Sequence, residues 1–115
     1  MTAKDRLQLT RDIYEAYGSG ERDVVERLIA DEGFAFFSPP DPGIDREAYF
    51  ERCWPNSETI ESFEFRRLLE IGADEVLVTY ESTKADGRRF RNTEVLTFDG
   101  DEISKVEVYF GWDVE

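Results

Sequence analysis

Hydrophobic and polar positions divide the chain into a helical first half and a strand-rich second half. Apolar residues recur at helical spacing across positions 4–17 and 21–30, and glycine-containing breaks follow both segments. A short apolar run at 34–37 predicts a strand, and the proline-rich stretch 38–43 predicts a loop, because proline cannot donate to a strand ladder. Asp45 suits the N-cap of a third helix.

From residue 60 onward the pattern changes to alternation of apolar and polar residues in four long segments. The predicted strands lie at 60–71, 75–84, 89–98 and 103–112. Tight turns such as Asp86-Gly87 and Asp99-Gly100 separate them, and such short connections make neighbouring strands antiparallel. Helices followed by a meander predict an α+β domain, with three N-terminal helices packed on one face of a curved, mainly antiparallel sheet.

The alternation also assigns the two faces of the sheet, because side chains two positions apart point the same way. The face toward the helices is predicted to carry Phe63, Phe65, Arg67, Leu69, Ile71, Val76, Val78, Tyr80, Phe90, Asn92, Glu94, Leu96, Phe98, Val106, Val108, Phe110 and Trp112. The opposite face is predicted to carry Leu68, Leu77, Thr79, Val95, Thr97 and Tyr109 among charged residues. This outer face is more apolar than a solvated face needs to be, and it predicts a homodimer through the sheet.

Glu94 is the residue for which the alternation pattern indicates a possible chemical role, because it places a carboxylate on an apolar face. A carboxylate on an apolar face is costly unless it is paired, protonated or lining a cavity. One interpretation is a cavity acid/base whose pKa is raised by desolvation. The alternatives are an ion pair with inward-pointing Arg67, or a strand register shifted by one residue that places Glu94 in water. Asn92, on the same face, could orient a ligand carbonyl or simply satisfy the glutamate.

Length and charge narrow the class of protein. A chain of 115 residues fits one domain, spanning 1–115, with one core. The net charge of −13 makes nucleic acid and anionic membrane surfaces unfavourable partners. The first residues lack the apolar core of a signal peptide, and no later run reaches membrane-spanning length, so a cytoplasmic location is predicted.

The chain contains no histidine and one cysteine, Cys53. This composition excludes Ser-His-Asp and Cys-His mechanisms, an internal disulfide and most zinc sites. Proton transfer is left to Asp, Glu, Tyr and Lys. The sequence has no glycine-rich phosphate loop and no carboxylate cluster with metal-ligand spacing, so neither a metal nor a cofactor is predicted. Cys53, on a helical apolar face without a basic partner, is predicted to be a packing residue.

Three short segments carry a resemblance to a known superfamily. They are Tyr14-Glu15-Ala16-Tyr17-Gly18-Ser19-Gly20-Glu21, Leu28-Ile29-Ala30-Asp31-Glu32, and Phe98-Asp99-Gly100 followed by Ile103 and Val106-Glu107-Val108-Tyr109-Phe110-Gly111. In this order and spacing, the chain resembles the nuclear-transport-factor-2-like superfamily over essentially its whole length, particularly the SnoaL-like polyketide-cyclase and ketosteroid-isomerase branch. The resemblance implies a cone-shaped fold with a pocket between helices and sheet, commonly dimeric through the sheet.

The residues of that branch transfer unevenly to this sequence. Its general-base aspartate precedes a proline after the first strand, where the nearest match is Ser38 before Pro39. Asp41 lies three residues further on and matches poorly, which argues against a steroid isomerase. The resemblance implies that Glu94 takes the place of the branch's acid. It also implies that Tyr14, or alternatively Tyr17 one turn later, takes the place of the oxyanion-donating tyrosine.

Two functions from different classes are compatible with these residues. The first is cofactor-free acid/base chemistry, such as isomerisation, cyclisation or dehydration of a small apolar carbonyl compound, with Glu94 and Tyr14 as catalytic residues. The predicted substrate-binding residues are Tyr17, Trp54, Arg67, Asn92, Phe110 and Trp112. The second is a non-catalytic module of the same fold that binds an apolar ligand or dimerises. A transport adaptor like the superfamily's namesake has no specific support.

A basic cluster flanks one predicted hairpin, and its members are Lys84, Arg88, Arg89 and Arg91. It could meet an anionic ligand, but a solvated hairpin tip that balances the acidic surface is the preferred interpretation.

Overall fold

The computed structural model describes residues 5–114, without the side chains at positions 42, 56 and 112–114. The helices are α1 (Arg6–Ser19), α2 (Arg22–Leu28) and α3 (Arg46–Arg52), and a 3₁₀ segment spans Trp54–Thr59. The strands are β1 (Ala35–Ser38), β2 (Asp41–Ile44), β3 (Ile60–Glu70), β4 (Glu75–Lys84), β5 (Arg89–Asp99) and β6 (Glu102–Val114). Among the described residues, no helix is long and apolar enough to cross a membrane.

The helix ends follow from local sequence. The Asp5 carboxylate accepts a hydrogen bond from the backbone N–H of Leu7 and caps α1 at its start. Gly20 ends α1 with a φ of 78°, a left-handed conformation that glycine adopts without steric cost. Asp45 accepts from the N–H of Ala48 and caps α3, as the sequence predicted.

The six strands form one sheet in the order β2-β1-β6-β5-β4-β3. The predicted antiparallel meander from β3 to β6 is confirmed, and β1 joins it in parallel beside β6. The predicted loop at 38–43 is wrong in its second part, because Asp41–Ile44 forms strand β2 against β1. This strand lies at the sheet edge, where a proline need not donate to a further neighbour.

The core lies between the concave face of the sheet and helices α1, α2 and α3. Its buried residues come from every layer and include Leu9, Ile13, Val25, Ile29, Phe50, Val76, Val78, Leu96, Phe98 and Ile103. The inward assignments in β4 and in the second half of β5 agree with this core. Burial of these side chains is the main favourable contribution to folding.

A bulge corrects the predicted face of β3. The pairing of β3 with β4 shifts between Phe65 and Arg67, and an extra residue at a bulge exchanges the two faces of a strand. Beyond the bulge Leu68 packs against the core, whereas Arg67 is exposed. Leu69 is likewise 44% exposed, so the predictions that Arg67, Leu69 and Ile71 face the helices, and that Leu68 faces outward, are wrong.

Candidate active site

An open cavity of about 260 Å³ lies between α1, α3 and the concave face of the sheet. Most of its wall is apolar, with residues such as Ile13, Phe36, Leu96 and Val108. Its polar wall residues are Tyr14, Tyr17, Ser38, Asp41, Tyr49, Cys53, Tyr80, Asn92 and Glu94. An apolar pocket with a few convergent polar groups is typical of a small-molecule site.

The Glu94 carboxyl group accepts hydrogen bonds from two tyrosines. Tyr14 Oη on α1 donates to Oε1 at 2.6 Å, and Tyr80 Oη on β4 donates to Oε2 at 2.7 Å. Glu94 stands on β5 opposite Val78 and Val108, on the concave face, and borders the cavity. The described residues place no lysine or arginine in an ion pair with it.

Aromatic packing fixes the two phenols. The Tyr14 ring meets Phe63 and Phe65 edge to face, at centroid distances of 5.3 and 5.6 Å, and lies 5.4 Å from the Tyr80 ring. Tyr80 also meets Phe63 edge to face at 5.2 Å. Because rings held in this way cannot rotate freely, both hydroxyl groups are preorganised toward Glu94.

Asn92 continues the network to the backbone of β6. The N–H of Gly111 donates to Asn92 Oδ1 at 3.1 Å, which leaves the amide nitrogen to donate to Tyr80 Oη at 3.4 Å. Asn92 therefore positions Glu94 through Tyr80 rather than by direct contact.

The electrostatic environment separates the ionisable groups of this network. Burial raises the pKa of the Glu94 carboxyl, and the hydrogen bonds from Tyr14 and Tyr80 lower the pKa by less. Burial also raises the pKa of both phenols well above the ordinary value, and the neighbouring Glu94 raises it further. The two phenols therefore remain protonated donors across the physiological range, and Glu94 is the member of the network that can exchange a proton.

A second carboxyl group, Asp41 of β2, borders the same cavity and is only 8% exposed. Ser38 Oγ donates to its Oδ2 at 3.1 Å, and Arg52 Nη2 lies 2.8 Å from Oδ1. The Arg52 contact is an ion pair without hydrogen-bond geometry, because Oδ1 has no hydrogen-bond partner within the described part of the chain. The cavity thus holds one carboxyl beside a cation and one beside phenols.

Cys53 borders the same cavity as these two carboxyls. Burial raises the pKa of its thiol to about 11, and the charge of Asp41 and, more weakly, that of Glu94 contribute to the rise. At neutral pH the group is a thiol and a weak nucleophile. This agrees with the prediction that Cys53 packs rather than reacts.

Of the remaining predicted site residues, some border the cavity and others do not. Tyr17 borders the cavity, but its hydroxyl donates to the Cys53 carbonyl at 2.8 Å, so of the two α1 tyrosines it is Tyr14 that contacts Glu94. Phe110 stands at the mouth, 59% exposed. Trp54 packs behind Tyr17 and does not border the cavity.

Two predicted residues do not join the described site. Arg67 is exposed beyond the β3 bulge, so the alternative of an Arg67–Glu94 ion pair is wrong, and Arg67 does not border the cavity. The side chain of Trp112 lies outside the part of the chain that the structure describes.

Sequence reasoning missed two residues that matter here. Tyr80 was assigned only to the core, although a hairpin centred on Asp86 pairs Tyr80 with Asn92 and so brings it beside Glu94. Asp41 was dismissed in favour of Ser38, although Asp41 itself precedes a proline in Asp41-Pro42-Gly43. No group of three or more potential metal ligands occurs among the described residues.

Structural comparison relates the chain to nuclear-transport-factor-2-like proteins. A candidate ketosteroid isomerase from Kribbella flavida superimposes with a TM-score of 0.78 at 18% identity, covering 98% of this chain and 82% of that one. A nuclear-transport-factor-2-like protein of unknown function from Burkholderia xenovorans gives 0.79 at 17% identity, with coverages of 96% and 86%. AclR, a candidate hydroxylase from Streptomyces galilaeus, gives 0.74 at 12% identity, with coverages of 96% and 77%.

No protein-family model and no curated protein sequence matches the chain. The structural matches establish the nuclear-transport-factor-2-like fold, which is the fold that the resemblance inferred from the sequence implied. Since function resides in sites rather than in folds, identities below 20% leave the chemistry to the cavity's own residues.

Proposed function

We propose that this protein catalyses cofactor-free proton transfer on a small apolar carbonyl compound, as in isomerisation, cyclisation or dehydration. The observation that carries the proposal is an open apolar cavity bordered by Glu94, a carboxyl group with a raised pKa that two tyrosines hold in place. When two carboxyl groups of one site lie in different environments, the difference indicates which of them acts as the acid and which as the base.

In this mechanism Asp41 and Glu94 act on opposite ends of an enolisation. Asp41, which lies in an ion pair with Arg52, removes a proton from the carbon next to the carbonyl group. Glu94, whose pKa is raised by desolvation, in its protonated form donates a proton to the carbonyl oxygen as the C–H bond breaks, and an enol forms. In an unsaturated ketone, Asp41 then returns its proton to another carbon of the dienol while Glu94 takes back the proton of the enol oxygen, which completes the isomerisation and restores both carboxyl groups.

The tyrosines stabilise the charge that this step creates. When Glu94 loses its proton, Tyr14 and Tyr80 already donate to both carboxylate oxygens, so little reorganisation is needed. Tyr14 is then a positioning residue for Glu94 rather than a direct donor to the substrate oxyanion. Apolar wall residues exclude water and strengthen these interactions.

The test is hydrogen–deuterium exchange next to the carbonyl group of 2-tetralone, a bicyclic ketone, followed by proton NMR in D2O. Glu94→Gln and Asp41→Asn should each slow the protein-dependent exchange by about 10²–10⁴-fold, the usual contribution of a general acid or base. Glu81→Gln, on the opposite face of the sheet, should leave the rate unchanged. If Glu94→Gln exchanges as fast as the wild type, Glu94 is not the acid.

The same assay separates the enzyme from a non-catalytic module. Tyr14 already donates to Glu94, and a closed network of this kind also suits a site that only binds ligand. Binding of 2-tetralone without any protein-dependent exchange would favour the binding module over the enzyme.

We further propose a homodimer through the outer face of the sheet and a cytoplasmic location. Leu69, Ile71 and Tyr109 are between 43% and 55% exposed on this side, an apolar surface that a second copy would cover. Sedimentation equilibrium at micromolar concentration should give twice the chain mass, and a monomer mass would contradict the dimer. Cell fractionation tests the location.

A further inference from the structure

A second cavity, of about 480 Å³, adjoins the first at its open end. The two cavities share five wall residues, which are Tyr17, Phe63, Tyr80, Asn92 and Phe110. The outer cavity is therefore the mouth of the inner one, and a ligand longer than the inner cavity extends into it.

The charges around this mouth differ from those of the rest of the molecule. The chain has 27 acidic and 14 basic residues, yet the outer cavity is bordered by Lys84, Arg88 and Arg89 and by no acidic residue in the described part of the chain. Low-dielectric walls focus the field of such a cluster into a cleft. The preferred sequence interpretation, a hairpin tip that only balances surface charge, agrees with the ion pairs of Arg88 and Arg89 but does not explain why Lys84 borders the cavity.

Lys84 is the member of this cluster that can accept an anion. Arg88 Nε lies 2.9 Å from Asp86 Oδ2, and Arg89 Nη2 donates to Glu81 at 2.6 Å, so existing carboxylates occupy both guanidinium groups. Lys84 Nζ instead lies 5.4 Å from the centroid of the Phe90 ring, and the carboxylate that its charge influences, Asp86, is already paired with Arg88.

Backbone hydrogen bonds hold Lys84 in place at the end of β4. Its N–H donates to the Arg88 carbonyl at 2.8 Å, and its own carbonyl accepts from Gly87 at 2.9 Å. The ammonium group is thus carried by an ordered hairpin rather than by a free loop end.

We propose that Lys84 binds an anionic group of the substrate, such as a carboxylate, at the mouth of the cavity. The inference rests on the proposed function, because it extends the site in which Glu94 acts. The inner cavity holds Asp41 and Glu94 and disfavours an anion, whereas the mouth attracts one. The substrate is therefore an amphipathic carbonyl compound that enters with its apolar carbonyl end first.

A matched pair of fluorescent probes tests the charge alone. 8-Anilinonaphthalene-1-sulfonate carries an anionic group, and N-phenyl-1-naphthylamine is the same molecule without it. Lys84→Gln should weaken binding of the sulfonate by about two- to fivefold, the range for one partly exposed ion pair, and change binding of the neutral probe by less than about 1.5-fold. Lys84→Arg, which keeps the positive charge, should bind the sulfonate as tightly as the wild type does. Added salt should weaken binding of the sulfonate and leave binding of the neutral probe unchanged.

Arg27→Gln is the control for loss of one positive charge, because Arg27 is exposed on α2 and borders neither cavity. It should leave the affinities of both probes unchanged. If Lys84→Gln weakens both probes equally, or neither, the anion site is wrong.

Alkylation of Cys53 by N-ethylmaleimide shows whether the probes occupy the cavity, because Cys53 is the single cysteine and borders it. Both probes should slow alkylation. If the neutral probe protects Cys53 while sulfonate binding is insensitive to Lys84, only the anion site fails. If neither probe binds or protects Cys53, the ligand cavity required by the proposed function and the anion site fail together.

Discussion

Two glutamates on neighbouring strands, Glu81 of β4 and Glu94 of β5, lie on opposite faces of the same sheet. On the concave face, Glu94 accepts from two tyrosines and has no cationic partner among the described residues. On the outer face, Glu81 accepts from Arg89 at 2.6 Å and Arg91 at 2.7 Å, with Arg66 at 3.2 Å. The first carboxyl is surrounded by protein interior, and the second is covered by guanidinium groups.

The two environments shift the pKa values in opposite directions. Burial raises the pKa of Glu94, whereas hydrogen bonding from Arg91 is the largest effect that lowers the pKa of Glu81. Only 5% of the Glu81 side chain is exposed, but the groups that cover it are guanidinium groups, and their hydrogen bonds and charges lower its pKa by more than desolvation raises it. Low exposure alone therefore does not make a carboxyl group reactive, and the chemistry of its partners decides.

The largest effect on stability is expected at Gly111, whose N–H connects the hydrogen bonds of Asn92, Tyr80 and Glu94 to the backbone of β6. In Gly111→Ala the new Cβ would overlap the carbonyl group of Arg91, and relief would disturb the β5–β6 pairing and the Gly111–Asn92 hydrogen bond. We expect a loss of about 2–4 kcal/mol in the free energy of unfolding, measured in urea.

Gly72→Ala is the matched control, because its Cβ would meet nothing closer than the flexible Glu75 side chain at 3.8 Å, and neither glycine has a positive φ. It should change stability by less than about 0.5 kcal/mol. Equal losses in the two variants would mean that the close approach at Gly111 does not hold the network.

A smaller effect is expected from removing one phenol from Glu94. Tyr80→Phe leaves Oε2 without its donor, and we expect a loss of about 1–2 kcal/mol in stability. Because the hydrogen bond favours the ionised form, the pKa of Glu94 should rise in this variant, measured by carboxyl-carbon NMR. Tyr109→Phe on the outer face should leave that pKa unchanged, and an unchanged value in Tyr80→Phe would contradict the contact.

The smallest expected effect is on the pH dependence of stability, and it distinguishes Glu94 from Glu81 most directly. Since the pKa of Glu94 is raised in the folded state, its contribution to stability falls as pH rises above the ordinary carboxyl value of about 4.3. Glu94→Gln should therefore gain stability relative to the wild type between pH 4 and pH 8, measured by urea unfolding.

Glu81 should behave in the opposite way. Its pKa is lowered on folding, so its favourable contribution is complete above the ordinary carboxyl value and is lost as pH falls through the lowered pKa. Glu81→Gln should lose stability at pH 7 and little at low pH. Two variants with the same pH trend would show that the two faces do not differ as described.

Much of the fold follows from short-range sequence signals. The caps at Asp5 and Asp45 and the Asp86-Gly87 and Asp99-Gly100 turns act over a few residues, so the helices and the meander are predictable. Strand β2 was not predicted because the prolines of this stretch argue against a strand, although a strand at the sheet edge pairs on one side only and tolerates proline. The predicted face of Arg67 was wrong because a single bulge moves every later side chain of the strand to the opposite face of the sheet.

The sequence by itself determined that Glu94 shares a strand face with Asn92, Leu96 and Phe98, because alternation is a property of the strand alone. Only the tertiary structure decided its partners. Tyr14 lies 80 residues away along the chain and Tyr80 lies 14 residues away, and each reaches Glu94 through the packing of α1 and β4 against β5. Local periodicity fixes which side a residue faces, whereas its ionisation depends on groups that only long-range packing brings within hydrogen-bonding distance.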